Sequence, residues 1–235
     1  MTTTLITGAN KGLGFETARR LVAEGHTVYL GSRDPERGRL AAARLGARPV
    51  VIDVTDDASV HAAVRTIEAE GDLDVLVNNA GVEGRGEGNS VIGAAEVTAG
   101  MMRELFETNV FGVVRVLHAF LPLLRRSASP VVVNVSSGLA SLTGITAPAS
   151  PAYGYPGVAY PASKTAVNMI TVQYAKAFPG IRVNAVEPGF TATDLNGNTG
   201  IQTVEEGAEI IVRMARIGRD GPTGGFFDAS GPVPW

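Results

Sequence analysis

Short apolar runs alternate with longer amphipathic stretches along the whole chain. Residues 2–7, 27–31, 49–53, 73–78, 131–135, 181–186 and 225–228 read as strands. Several are unbroken apolar runs, such as LDVLV and VVVNV, which suits strands buried on both faces of a parallel sheet. Between them, residues 13–24, 35–45, 58–69, 98–124, 159–177 and 204–215 carry apolar side chains at helical spacing. The longest, 98–124, sets Met102, Leu105, Val113, Leu117, Phe120 and Leu124 on one broad face. Strands that alternate with helices imply crossover connections. The pattern predicts an α/β, single-domain, Rossmann-type doubly wound fold over residues 1–235. Its seven-stranded parallel sheet is flanked by helices. Three Gly-, Pro- or Asn-rich stretches, 83–95, 138–158 and 190–203, read as loops for substrate. Each follows a strand at its C-terminal end, where open α/β sheets bind ligands. The last, with Gly197 and Gly200 as hinges, reads as a mobile lid without fixed structure in the free protein.

Composition narrows the class. A chain of 235 residues, 45% hydrophobic and 18% charged, suits one large domain and excludes disorder. A net charge of −3 argues against a nucleic-acid binder. With no cysteine, disulfides, thiolate catalysis and iron–sulfur ligation are excluded, and three scattered histidines leave no metal site. No signal peptide is evident. No uncharged apolar run approaches the ~18 residues of a membrane span; the best candidate, 110–124, contains Arg115 and His118. The expectation is a cytoplasmic protein with no membrane or nucleic-acid partner.

The 29 glycines point to tight turns and close backbone approaches. Several cluster where the first strand runs into Gly8, Asn10, Lys11, Gly12, Leu13 and Gly14 and a helix follows. Such a turn lets backbone N–H groups and a helix N-terminus meet a pyrophosphate. The spacing G-x-x-x-G-x-G differs from a P-loop, which needs Gly-Lys-Ser/Thr. After the second strand, Asp34 lies about twenty residues beyond the glycines, where an NAD-binding fold places an acidic residue for the ribose. Asp34 with Pro35 next to it reads instead as a helix N-cap. That leaves Ser32, Arg33 and Arg37, with Lys11, as hydroxyl and cations for a 2′-phosphate, and favours NADP(H) over NAD. These cations could equally be a solvated surface. Asp53 and Val54 follow the third strand, within reach of an adenine edge, and Asp53 could also be a helix cap. Asn79, Ala80 and Gly81 close the fourth strand and leave room above it for a flat ligand.

At the other end of the site, Tyr160 and Lys164 stand one helical turn apart on one face. A free Tyr has a pKa near ~10, so about one in a thousand is ionised at pH 7. Moving it to neutrality takes ~4 kcal/mol, which a fixed ammonium beside it can provide. Tyr160 would then give or take a proton near neutral pH. A surface Tyr and Lys at chance spacing is the other reading. Tyr153 and Tyr155 have no lysine four residues on. Ser137, at the end of the fifth strand, can bond a substrate oxygen, whereas Ser136 points to the other face. Asn109 inside the long helix is either solvated or marks a local distortion of that helix.

TGANKGLG, NNAG, the Asn of ETNVFG, NVSS, YPASK and the PG-F-T-A-T segment occur in order over nearly the whole chain. In these motifs the sequence resembles the short-chain dehydrogenase/reductase family. Asn-Lys-Gly in the glycine turn, Ser-Arg-Asp after the second strand and the long loop before Tyr160 are similar to its NADPH-dependent carbonyl reductase branch. The resemblance implies that Gly8, Gly12 and Gly14 cradle the pyrophosphate, and that Lys11, Arg33 and Arg37 meet the 2′-phosphate. Asp53 and Val54 would contact adenine, and Asn79 would lie by the adenosine ribose. It implies Ser137 as substrate-orienting group, Tyr160 as proton donor, and Lys164 as holder of the nicotinamide ribose and depressor of the Tyr160 pKa. Asn109 would bind a water linking Lys164 to solvent; Pro188, Gly189, Thr191 and Thr193 would bind the cofactor, with the backbone near Thr191 and the Thr193 hydroxyl facing the nicotinamide carboxamide.

The implied activity is hydride transfer from NADPH to a ketone or aldehyde, with oxidation of an alcohol or non-catalytic dinucleotide sensing as alternatives. Intact Ser137, Tyr160 and Lys164 speak against the sensor. A serine hydrolase is unsupported, since no G-x-S-x-G elbow surrounds Ser137. Ser137 and Tyr160 are 23 positions apart, a wider span than in many members of that family. The extra residues could line a small-molecule substrate pocket or cover a subunit contact, which leaves monomer and homo-oligomer both open.

Overall fold

The structure, a computed structural model, describes residues 2–235. Seven strands form one sheet: β1 (Thr3–Ile6), β2 (Thr27–Ser32), β3 (Arg48–Val51), β4 (Val75–Asn78), β5 (Val131–Val135), β6 (Arg182–Val186) and β7 (Phe226–Phe227). The order is β3-β2-β1-β4-β5-β6-β7 and every ladder is parallel. Helices α1 (Gly12–Ala23), α2 (Pro35–Leu45), α3 (Asp57–Glu68), α4 (Ala99–Phe106), α5 (Gly112–Leu124), α6 (Leu142–Thr146), α7 (Ala159–Ala177) and α8 (Val204–Ala215) complete the chain. The doubly wound expectation holds.

Alternation along each strand feeds two separate cores. On one face, Leu5, Leu76 and Val132 pack with Ile67, Leu117 and Phe120 from α3 and α5. On the other, Ile6, Val77 and Val133 meet Leu21, Ala42 and Ile211 from α1, α2 and α8. Helices cover both faces, so the strands are mostly apolar, and the buried Asn78 on β4 donates to Asn134 on β5 at 2.9 Å. Caps set several helix starts. Asp34 accepts the N–H of Arg37 at 2.9 Å with Pro35 in the first turn of α2. Asp56, rather than Asp53, caps α3, and a Thr203–Glu206 capping box starts α8.

One expectation about residues 98–124 needs correction. The segment is not one regular helix: a π turn, Glu107–Phe111, joins α4 to α5. The continuous run Ala99–Leu124, 26 residues, is long and apolar enough by length and composition to cross a membrane. Half of its most apolar stretch is buried inside the protein, because Val113, Val116, Leu117, Phe120, Leu123 and Leu124 belong to the core. The core therefore accounts for its apolar face.

Candidate active site

The switch point of the sheet lies at β1, whose neighbours β2 and β4 lead in opposite directions. Chain reversals on the two sides leave a crevice beyond the strand tips there. The glycine turn fills one side of it. Gly8 has φ +63°, and a Cβ on it would sit 2.9 Å from the Ala80 backbone. A Cβ on Gly14 would meet the Asn79 side chain at 2.5 Å. Asn79 holds the turn from below, donating to the carbonyls of Thr7 at 2.8 Å and Gly8 at 3.0 Å. The Thr7 hydroxyl accepts the N–H groups of Asn79 and Ala80, both at 3.0 Å. Thr7 was not among the expected site residues; its signal is its position as the last residue before the glycines. Leu13 anchors α1 against α8 beside Gly207. Across the turn, the Thr193 methyl faces Gly12 with 3.6 Å to a Cβ built there. The result is a backbone-lined cradle at the N-terminus of α1, fit for a dinucleotide pyrophosphate.

The cations divide. Arg33 is exposed beside this cradle. Burial pushes the Asp53 carboxyl up, but bonds from the Thr55 hydroxyl and N–H, together with Arg33 and Arg115, bring it below its usual range. Asp53 is thus held in a turn with Thr55 at 2.7 and 2.9 Å, and Val54 beside it is buried. Three expected phosphate partners are engaged elsewhere. The Ser32 hydroxyl is buried and donates to the Asp34 carbonyl at 2.9 Å, because it folds back to tie the strand tip to the helix start. Arg37 lies 3.4 Å from the Asp34 carboxylate, its i,i+3 neighbour. Lys11 pairs with Asp194 at 2.6 Å, because residues 190–203 fold over the glycine turn.

That segment departs from the expected unstructured lid. It carries a short 3₁₀ turn, Asp194–Asn196, and a bridge between Thr191 and Gln202. Asn196 donates to the Thr191 carbonyl at 2.9 Å and accepts, through its own carbonyl, a bond from Asn89 at 3.0 Å. Gly197 sits in the left-handed region, φ +65°, and Gly200 lies against the Thr191 backbone. Gly189, φ +79°, turns the chain after Pro188 and donates its N–H to Glu187 at 3.1 Å. Thr191 is buried with its hydroxyl donating to the Pro188 carbonyl at 3.1 Å.

Beyond the cradle, Ser137, Tyr160 and Lys164 come together as expected. Ser137 caps a 3₁₀ turn and faces Tyr160 closely enough to interact with its hydroxyl. Ser136 is turned away, donating to Asn168 at 2.7 Å on α7. Lys164 is buried and donates to the Val135 carbonyl at 2.8 Å. Its ammonium lies 5.7 Å from the centre of the Tyr160 ring. Burial lowers the Lys164 pKa to about 8. The expected depression of Tyr160 is not found. Burial pushes the phenol up and the Glu83 carboxylate adds to this, while the Ser137 hydroxyl acts against them. Asn109 sits in the π turn and is fully buried. Its side chain exchanges two bonds with the Val82 backbone, each 2.8 Å, and donates to Ser163 at 3.1 Å. Gly81 is clamped between Asn109 and Lys164.

Tyr160 opens onto a cavity of about 320 Å³ with Val82, Ile92, Val97, Met101 and Leu105 on its walls. Glu83, Arg85 and Tyr155 also line it, all three from the stretches 83–95 and 138–158 expected as substrate loops, though none was singled out by its own chemistry. Only the length of loops 83–95 and 138–158 hinted at them.

An anion cradle at a switch point, beside a Tyr–Lys–Ser group under an apolar cavity, defines a dinucleotide-dependent enzyme of the Rossmann class. The comparisons agree. The family model "short chain dehydrogenase" matches residues 2–203. A (+)-neomenthol dehydrogenase from Capsicum annuum is 32% identical, with 95% of this chain and 94% of that protein covered. Salutaridine reductase from Papaver somniferum superposes with a TM-score of 0.84 at 30% identity, covering 97% of this chain and 100% of the other. NADPH-bound carbonyl reductase from chicken fatty liver does so with a TM-score of 0.86 at 26% identity, covering 100% and 99%. The chain belongs to the short-chain dehydrogenase/reductase family and is an oxidoreductase that works with a nicotinamide dinucleotide.

Proposed function

We propose that this protein reduces a ketone or aldehyde carbonyl at the expense of NADPH, with Tyr160 as the proton donor. The observation that carries the reading is the placing of Tyr160 between the glycine cradle and an apolar cavity, with the Ser137 hydroxyl and the Lys164 ammonium beside it. NADPH-bound carbonyl reductase and salutaridine reductase, among the similar proteins, carry names of the same reaction type.

A bound reduced nicotinamide supplies the hydride. Gly8, Gly12 and Gly14 offer the backbone for its pyrophosphate, with Asn79, Ala80 and Gly81 below and Pro188, Gly189, Thr191 and Thr193 above. Arg33, which forms no ion pair among the described residues, is exposed and can meet a 2′-phosphate; Lys11 joins it on leaving Asp194, and Arg37 on leaving Asp34. Asp34 caps α2 by accepting the Arg37 N–H. Ser137 and Tyr160 hold the substrate oxygen between two hydroxyls, which orients the carbonyl and stabilises the charge that develops on it. Lys164 places an ammonium beside the phenol and offsets the negative charge as Tyr160 gives up its proton. Asn109 acts through position, fixing Val82 and Gly81 against Lys164.

Parallel turnover assays with NADPH and NADH against ketones, aldehydes, quinones and diones test this reading. Turnover faster with NADPH is expected. Tyr160→Phe should lose at least about a hundredfold in kcat, the scale of a positioned acid, while NADPH still binds. Arg33→Ala should weaken NADPH and leave NADH nearly unchanged. Loss of cofactor binding in Tyr160→Phe, or equal loss of both cofactors in Arg33→Ala, would refute the roles assigned.

A further inference from the structure

The cavity beside Tyr160 is apolar except for one wall. There the Glu83 carboxylate is nearly buried, and its Oε1 accepts two bonds: from Arg85 Nη2 at 2.7 Å and from the Tyr155 hydroxyl at 2.8 Å. Among the described residues no donor meets Glu83 Oε2. Tyr155 has spent its one hydrogen on Glu83, and burial together with that carboxylate pushes its pKa up, so it stays a neutral phenol. What it can still offer is an oxygen lone pair. Arg85 bonds Glu83 and the Asn89 carbonyl, and its Nε is buried with no acceptor. Glu104, at the edge of the same cavity, adds a second carboxylate.

We infer that this wall is a specificity site, and that the substrate is a carbonyl compound with an apolar body and a hydroxyl group placed away from the reacting carbon. This rests on the reductase reading above. The hydroxyl would donate to Glu83 Oε2 or to the Tyr155 oxygen. An apolar substituent packed against this wall gives Glu83 Oε2 no donor, which is costly. An ether can accept but not donate, and a carboxylate meets two carboxylates across an apolar cavity.

The test compares four derivatives of one cyclic ketone, bearing an ethyl, hydroxymethyl, methoxymethyl or carboxylate group at the same ring position, with NADPH as reductant. In the unsubstituted protein the hydroxymethyl ketone should exceed the ethyl and methoxymethyl ketones about tenfold in kcat/KM, as expected for a charged hydrogen-bond partner, and the carboxylate should be poorest. Glu83→Gln and Tyr155→Phe should each shrink the hydroxymethyl-to-ethyl ratio. Should Glu83→Gln not fold with Arg85 left unpaired, Tyr155→Phe, which removes one oxygen, decides alone. Equal values for the four ketones, a preference for the carboxylate, or a ratio unchanged in the folded variants overturns the inference. If none of the four is reduced, the reductase reading fails on its own, and calorimetric binding of the same compounds judges the wall. Tighter binding of the hydroxymethyl compound supports it, and uniform or undetectable binding overturns it.

Discussion

Lys164 carries its ammonium in a place that penalises charge. Its pKa falls from an ordinary 10.5 to about 8, and the cause is burial. The sign of the stability effect follows directly. Between those two values the unfolded chain binds the proton that the folded chain releases, so stability rises with pH across that window. Below about pH 8 the folded state bears the full cost, about 3 kcal/mol. Lys164→Met should therefore be more stable than the unsubstituted protein at pH 7, with the gap closing toward pH 10.5. Urea midpoints of both proteins from pH 7 to 10 measure this, and a constant gap would remove burial as the cause. The same variant should lose turnover, since a methionine cannot offset charge beside Tyr160. Tyr160 itself illustrates how far residue reading reaches. YPASK places the two side chains one turn apart, and the structure brings them together. Their spacing says nothing of the burial of the phenol, nor of Glu83, 77 positions earlier in the chain, and burial with that carboxylate reverses the direction expected for the phenol.

At the scale of elements, strands and helices were legible because each carries its own period and its own caps. Asp34–Pro35 marks the start of α2 without help from the rest of the molecule. The π turn at 107–111 was legible only as an awkward Asn109 in a helix, since what draws Asn109 inward is the Val82 backbone from another element. The loops were legible as loops but not in their shapes. Residues 190–203 hold their form through Asn89 and Lys11, which come from distant parts of the chain. This tie can be tested. Asn89→Ala removes the bond to the Asn196 carbonyl, and amide exchange should quicken within 190–203 while β1–β6 stay protected. Exchange unchanged in that segment would mean the 3₁₀ turn and the Thr191–Gln202 bridge suffice.

For the whole molecule, the cofactor and the fold are thermodynamically linked. The cradle joins the tips of β1 and β4, the two middle strands of the switch point, so it exists only when both halves of the sheet are formed. NADPH at a hundred times its Kd should add about 2.7 kcal/mol of stability. That raises the melting temperature by roughly 5–10 °C for a domain of this size. A differential scan with NADPH and NADH measures it, and equal shifts at equal low concentrations would count against the 2′-phosphate preference.

The strand order also bears on how the chain can assemble as it is made. β1 comes first and stands in the interior of the sheet. β2 and then β3 add outward on one side of it, and β4, β5, β6 and β7 add outward on the other, each in the order of synthesis. No strand has to be threaded between two that are already paired. A chain leaving the ribosome can therefore extend the sheet at an open edge every time, and β1 to β5 have all been translated before the helix bearing Tyr160.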